Sequence, residues 1–174
     1  MKNKNLVISG LCMSLAGLSV LFSQTIGVQT AQVLVPVFLI LGGYFSYAFS
    51  KQLKDIKVGR QFHLFQAIGM LVFGVLVAFI PDSLESFLKF VTYFVMCFGF
   101  IEISFGLMAI GSNKTIKWNI VSFRLISGVL ALIGAFVILM TSMTDALKSL
   151  TIAGILLLIS GIAFIVFAQK LKRA

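Results

Sequence analysis

Charged residues are scarce in this chain. Only 11% of its 174 residues are Asp, Glu, Lys or Arg, whereas 60% are hydrophobic and the mean hydropathy is +1.11. A soluble domain carries about a quarter charged residues, so this chain has too few polar groups to cover a surface in contact with water. The composition excludes a soluble fold and predicts an all-α protein in a lipid bilayer, where helices satisfy their own backbone groups.

Residues that carry chemistry are equally few. The chain has one histidine, two cysteines and five acidic residues, so it lacks the clusters that hold metal ions and any nucleophile with a base beside it. Cys12 and Cys97 fall in different apolar segments, which predicts no disulfide. We therefore expect no enzyme activity, no catalytic residue, no metal site and no cofactor.

Long apolar stretches predict six membrane-spanning helices in one domain that covers residues 1–174. No charged residue occurs from Asn5 to Ser50. As a helix, that stretch is about 69 Å long, more than twice a hydrocarbon core of roughly 30 Å, so it must turn back once, at the polar residues 24–30. A retained first span is favoured over a cleaved signal peptide, because the stretch is long and no small-residue cleavage site follows it. The predicted spans are residues 5–23, 30–50, 62–80, 87–111, 118–140 and 150–169.

The basic residues predict the orientation of these spans. Eleven of the 14 Lys and Arg residues fall before the first span, between spans two and three, between four and five, or after the sixth. The other three turns contain only Lys89 and Lys148, each with an acidic residue nearby. By the positive-inside rule both termini are cytoplasmic. Since the basic residues are scattered beside membrane ends, they indicate contact with anionic lipid headgroups and no nucleic-acid partner.

Glycines recur at corresponding positions of three helical hairpins, residues 5–50, 62–111 and 118–169. One glycine lies seven residues before each turn, and another follows it by 25 to 27 residues in the second helix. This regular spacing predicts three parallel copies of one hairpin, unlike the inverted repeats of many carriers. Because glycine lets membrane helices approach closely, we predict helix contacts at Gly17, Gly74, Gly99, Gly106, Gly128, Gly134 and Gly161.

Two charged residues, Glu102 and Arg124, fall deep inside the predicted spans and are the main candidates for function. Glu102 and Arg124 lie about 13 and 10 Å from the cytoplasmic ends of the fourth and fifth spans. A charge at mid-membrane costs roughly 2.5–3.5 kcal/mol on insertion scales, so we predict that the two residues form an ion pair. The pair is either structural, joining the second hairpin to the third, or a site that responds to protons or a substrate. In a third alternative, Arg124 extends alone to the interface.

The single histidine lies near the start of the third span. His63 has a basic loop before it and Gln66 three residues after it. A lone imidazole at a membrane edge predicts contact with lipid headgroups. Because histidine changes charge near neutral pH, His63 and Glu102 are also the candidate pH-responsive groups.

Three motifs carry a family resemblance. They are Leu-Ile-Ser-Gly-Val-Leu-Ala-Leu-Ile-Gly at 125–134, Gly-Ile-Leu-Leu-Leu-Ile-Ser-Gly-Ile at 154–162, and the middle copy, with Gly-Met-Leu-Val-Phe-Gly at 69–74 and Phe-Gly-Phe-Ile-Glu-Ile at 98–103. Together they resemble the HdeD-type small bacterial membrane proteins over the whole chain. The resemblance implies an inner-membrane protein of bacteria, in a family whose founding member is linked to acid resistance.

These observations favour a non-enzymatic bacterial plasma-membrane protein of the HdeD type, acting in acid or envelope stress tolerance. One alternative is a small transporter or channel with Glu102 in its path, although few polar residues at mid-depth could line such a path. Another is a scaffold that binds partner helices, as a homo-oligomer or with a second membrane protein.

Overall fold

Six long helices account for most of the chain. The computed structural model describes residues 3–53, 57–112, 118–141 and 145–173. The six long helices are each long and apolar enough to cross a membrane, which confirms the prediction of six helices of membrane-spanning length. Four of the lysines that support the predicted orientation lie outside the described residues: Lys2, Lys54, Lys114 and Lys117. The helices are α1 (Lys4–Leu21), α2 (Ser23–Ile26), α3 (Val28–Gln52), α4 (Lys57–Phe79), α5 (Leu84–Ser112), α6 (Trp118–Thr141) and α7 (Ala146–Arg173).

The helices α4 and α7 begin earlier than predicted. The helix α4 starts at Lys57, before the predicted boundary at residue 62, and α7 starts at Ala146, before residue 150. The backbone N–H of Lys148 donates to Asp145 Oδ1 at 3.0 Å, a side-chain cap that starts α7 inside the predicted turn. The Lys148 ammonium also bonds Asp145 and lowers the pKa of that carboxyl.

The turn between α1 and α3 contains a short helix. Residues 24–30 were predicted to form this turn, and most of its first half is α2. Gly27 separates α2 from α3 with a φ of +88°, a left-handed conformation that residues with a Cβ adopt only with strain. Gly27 thereby allows the chain to reverse between two spans.

The long helices form a closed ring around a packed interior. Each contacts the next along the chain, α7 contacts α1, and α5 also contacts α7. The Asn3 side-chain amide donates to the Ala168 carbonyl at 2.9 Å, so the start of α1 lies beside the end of α7. The interior is filled mainly by apolar side chains such as Met13, Phe94 and Phe164, and a few buried polar residues interrupt it.

In two helix pairs, α1 with α7 and α5 with α6, a Cβ atom on a glycine would lie under 3.0 Å from the backbone of the other helix. A Cβ atom on Gly17 would lie 2.6 Å from a backbone nitrogen of α7, and one on Gly161 would lie 2.6 Å from the Gly10 carbonyl oxygen of α1. Likewise, a Cβ atom on Gly99 of α5 would lie 2.9 Å from the Gly128 carbonyl oxygen of α6. Real Cβ atoms do not approach other atoms this closely, so these glycines set the spacing of the helices.

The other predicted packing glycines contact side chains. A Cβ atom on Gly74 would meet Ile40 of α3 at 2.8 Å, and one on Gly106 would meet Leu125 of α6 at 2.9 Å. The space beside Gly134 is filled by the side chain of Leu156 on α7. All three positions accept a large apolar side chain from a neighbouring helix. At Gly74 the two backbones are also close, since the same Cβ atom would lie 3.2 Å from the Ile40 backbone nitrogen.

Candidate functional site

Glu102 and Arg124 form a bidentate ion pair between α5 and α6. Arg124 Nε donates to Glu102 Oε2 at 2.5 Å, and Arg124 Nη2 donates to Glu102 Oε1 at 2.6 Å. The two side chains are 1% and 0% exposed. Two parallel charge-assisted hydrogen bonds hold this geometry more strongly than one contact would. The structure therefore places the two predicted residues together, and Arg124 does not extend to the interface.

The glycine contact between α5 and α6 makes room for this pair. Glu102 lies three residues after Gly99, and Arg124 lies four residues before Gly128, so each charge shares a helix face with one of the touching glycines. A Cβ atom on Gly128 would lie 2.8 Å from the Glu102 Cβ. A larger residue at Gly128 would thus displace the carboxylate from Arg124.

Gln66 and His63 extend the site to α4. The Gln66 Nε2 amide donates to Glu102 Oε1 at 2.7 Å, and Gln66 Oε1 lies 3.4 Å from Arg124 Nη2 and 3.2 Å from His63 Nδ1. Arginine nitrogens only donate, so Gln66 Oε1 accepts a hydrogen bond from Arg124. An amide oxygen only accepts, so His63 Nδ1 must carry a proton to bond the same oxygen. The four residues form one buried polar network (His63, Gln66, Glu102 and Arg124) that spans three helices.

The prediction that His63 contacts lipid headgroups is wrong. His63 is only 1% exposed and packs edge-on against the Phe49 ring, with ring centroids 4.7 Å apart. The Ser46 hydroxyl donates to the His63 carbonyl at 3.3 Å. Because α4 begins at Lys57, His63 lies in the second turn of that helix and on its inward face.

Three phenylalanine rings enclose the guanidinium. The Arg124 Cζ atom lies 4.1 Å from the centroid of Phe105, 4.8 Å from Phe167 and 5.0 Å from Phe164. A desolvated cation over an aromatic face gains about 2 kcal/mol, so the rings replace part of the lost hydration. Arg124 Nη1 is buried with no hydrogen-bond partner in the described part of the chain and lies within this aromatic enclosure.

Outside the network, the described residues provide few groups that could react or bind a ligand. Cys12 and Cys97 carry free thiols on α1 and α5. Within residues 3–53, 57–112, 118–141 and 145–173, His, Cys, Asp and Glu side chains form no group of three suited to a metal ion. A cavity of about 450 Å³ lies between α4 and α5, but its lining is apolar apart from Ser104 and includes none of the network residues. The geometry is that of a closed electrostatic contact between helices.

Several site residues were not predicted as such. Gln66 joins the histidine to the ion pair, and Phe105, Phe164 and Phe167 enclose the arginine. Helical spacing offered a signal, since Gln66 follows His63 by three residues and Phe105 follows Glu102 by three. Nothing in one sequence indicated that α7 would supply the other two rings.

Comparison with known proteins finds a family match for part of the chain. Residues 8–79 match the family model described as a short repeat of unknown function, DUF308. This segment runs from α1 to the end of α4 and contains His63 and Gln66 but neither Glu102 nor Arg124. No curated protein and no solved structure matches the chain.

Proposed function

We propose that the chain is a multi-pass protein of the bacterial plasma membrane, of the HdeD type. Its six spans are three copies of one helical hairpin, and both termini are cytoplasmic. The six apolar helices support the membrane location, and the match of residues 8–79 to a short repeat supports a repeated unit. The distribution of Lys and Arg supports the orientation.

Corresponding helix contacts also support the repeat. In each case a glycine in the second helix of one copy packs on a small residue in the first helix of the next copy, and the third copy closes the ring on the first. The pairs are Gly43 with Ala67, Gly99 with Gly128, and Gly161 with Gly10.

The ion pair occupies one of three corresponding positions. Each of these contacts has a second pair of residues beside it. One residue lies three positions after the glycine of the second helix, and the other lies four positions before the small residue that this glycine contacts. In the first case Ser46 bonds the His63 carbonyl, and in the second Glu102 bonds Arg124. In the third, Leu6 and Phe164 belong to the same apolar core. The charged pair is therefore a specialised version of a repeated helix contact.

The proposed role is tolerance of acid or envelope stress without catalysis. The observation that carries it is the closed network, in which both Glu102 oxygens and two Arg124 nitrogens bond within the protein. A network enclosed by helices and aromatic rings is separated from water, and its hydrogen bonds join α4, α5 and α6. In the proposed role, these bonds hold the helices together while the envelope is under stress.

A deletion strain tests this role. We expect fewer survivors after acid exposure, with survival restored by the wild-type gene. Because Arg124→Leu removes the ion pair between α5 and α6, that variant should not restore survival, whereas Lys89→Gln, in an exposed pair with Glu85, should. The measurement is the count of viable cells after a timed acid exposure, with protein levels compared by immunoblot. Equal survival of the deletion strain and its parent would refute the role.

A transporter or channel is the second candidate, and one observation favours it. Buried polar nitrogens are seldom left without a partner, and Arg124 Nη1 has none among the described residues. A transported water molecule or ion could occupy that position. The His63, Gln66 and Glu102 side chains form a continuous chain of hydrogen-bonding groups that ends on the Nε and Nη2 atoms of the same guanidinium.

Flux measurements separate the two candidates. For the closed network, we expect liposomes that contain the purified protein to be no more permeable to protons than protein-free liposomes, as followed by a trapped pH-sensitive dye. A flux that disappears in Glu102→Gln but persists in Glu85→Gln would instead establish transport through the network, because Glu85 is exposed and lies outside it.

A further inference from the structure

Two exposed cations lie at the end of the bundle where α3 finishes and α4 begins. Lys51 is in the last turn of α3, and Arg60 is in the first turn of α4. Both side chains are exposed, and neither forms an ion pair with another described residue. Lys89 and Lys148 differ, since each bonds a nearby carboxylate. The positive charge at this end is thus left without a counter-charge from the described chain.

Helical periodicity brings the two cations to the same seam between α3 and α4. Gly43 of α3 packs on Ala67 of α4. Tyr47 and Lys51 follow Gly43 at steps of four residues, so they continue its stripe to the end of α3. On α4, Arg60 precedes Ala67 by seven residues, or two turns, and continues the facing stripe. Lys51 and Arg60 therefore flank one outer edge of the bundle.

Exposed tyrosine side chains at this edge are typical of the level of lipid headgroups. Tyr47 and Tyr44 are both exposed on α3, and the Lys51 Nζ atom lies 4.6 Å from the centroid of the Tyr47 ring. Tyrosine is enriched where a membrane meets water, because its ring is apolar and its hydroxyl is polar. The Lys51 ammonium is held beside that ring, next to the lipid surface.

We propose that Lys51, Arg60 and Tyr47 form a binding site for the phosphate of an anionic phospholipid. The two charges, which pair with no carboxylate among the described residues, complement a phosphate. Arg60 supplies a fork of donors suited to the phosphate oxygens, and the tyrosine ring would border the start of the acyl chains. The proposal rests on the proposed membrane location and is independent of the role in stress tolerance, so loss of lipid binding or of that role leaves the other intact.

Titration with a short-chain lipid tests the site. The full-length protein in neutral detergent is titrated with dioctanoyl phosphatidylglycerol, and thermal unfolding is followed by the fluorescence of Trp118, the only tryptophan. We expect the melting temperature to rise with lipid concentration. Each of Lys51→Gln and Arg60→Gln should raise the half-effective concentration about fivefold, and the double variant about 30-fold, since one cation near an anionic lipid contributes that much binding. Lys89→Gln should behave as wild type.

Two further titrations identify the ligand. Dioctanoyl phosphatidylcholine supplies the same chains with a neutral headgroup, and sodium phosphate supplies the anion without chains. We expect neither to reproduce the shift. An equal shift with phosphatidylcholine, an equal shift with phosphate alone, or an unchanged response of the Lys51→Gln/Arg60→Gln variant would each overturn the proposal.

Discussion

Arg124→Leu should lower the free energy of unfolding by about 3–5 kcal/mol, because it leaves a buried carboxylate without its cation. In this variant Glu102 would keep only the Gln66 amide as a hydrogen-bond donor among the bonds seen here. The three rings around the guanidinium would also lose their cation. The measurement is reversible unfolding in mixed micelles of neutral detergent and dodecyl sulfate, followed by the fluorescence of Trp118.

A double-mutant cycle separates the interaction energy of the ion pair from the effect of the change in side-chain volume. Glu102→Gln alone should also destabilise, since Arg124 then stays charged and buried without an anion. The Glu102→Gln/Arg124→Leu variant should lose less than the two single variants together, by about 1–3 kcal/mol, because residues in direct contact are coupled. Lys89→Gln provides the control and should cause no measurable change, since its pair with Glu85 is exposed. Additive losses in the cycle would show that the pair contributes no interaction energy.

The sequence predicts the number and approximate limits of the spans because apolar length alone determines them. Once residues 5–50 exceed the thickness of a bilayer, a turn is required, and the polar residues 24–30 are the place for it. The early starts of α4 and α7 were missed, because membrane thickness sets a minimum length for a helix and does not say where it begins. At α7, the cap from Asp145 decides the first residue.

The site could be predicted in part, for a related reason. The cost of a charge in lipid makes Glu102 and Arg124 conspicuous, and similar depths in neighbouring spans make their contact a reasonable prediction. His63 is different because a histidine near a helix start has two possible environments. Which one it adopts depends on the rotation of α4, and that rotation is set by the packing of Gly43 on Ala67 and Leu71. Periodicity along one helix does not contain this information about its neighbour.

The second large effect is expected from substitution of glycine by alanine. This change should lower the free energy of unfolding at one position and raise it at another. Gly161→Ala should destabilise by about 1–3 kcal/mol, because a Cβ atom there would meet backbone atoms that cannot rotate away. It would lie 2.6 Å from both Ser14 N and Gly10 O of α1, so α1 and α7 would have to separate. An added Cβ atom at Gly111, near the end of α5, meets no atom of the described residues within 4 Å.

Gly111→Ala should therefore stabilise by about 0.4–1 kcal/mol, since alanine restricts the unfolded chain more than glycine does and favours a helix. The same unfolding experiment in mixed micelles measures both variants. Stabilisation at both positions would mean that α1 and α7 do not touch through backbone, and that glycine contributes only flexibility there. Destabilisation at Gly161 alone would locate the steric constraint at the contact that closes the ring, where the first and last helices of the chain meet.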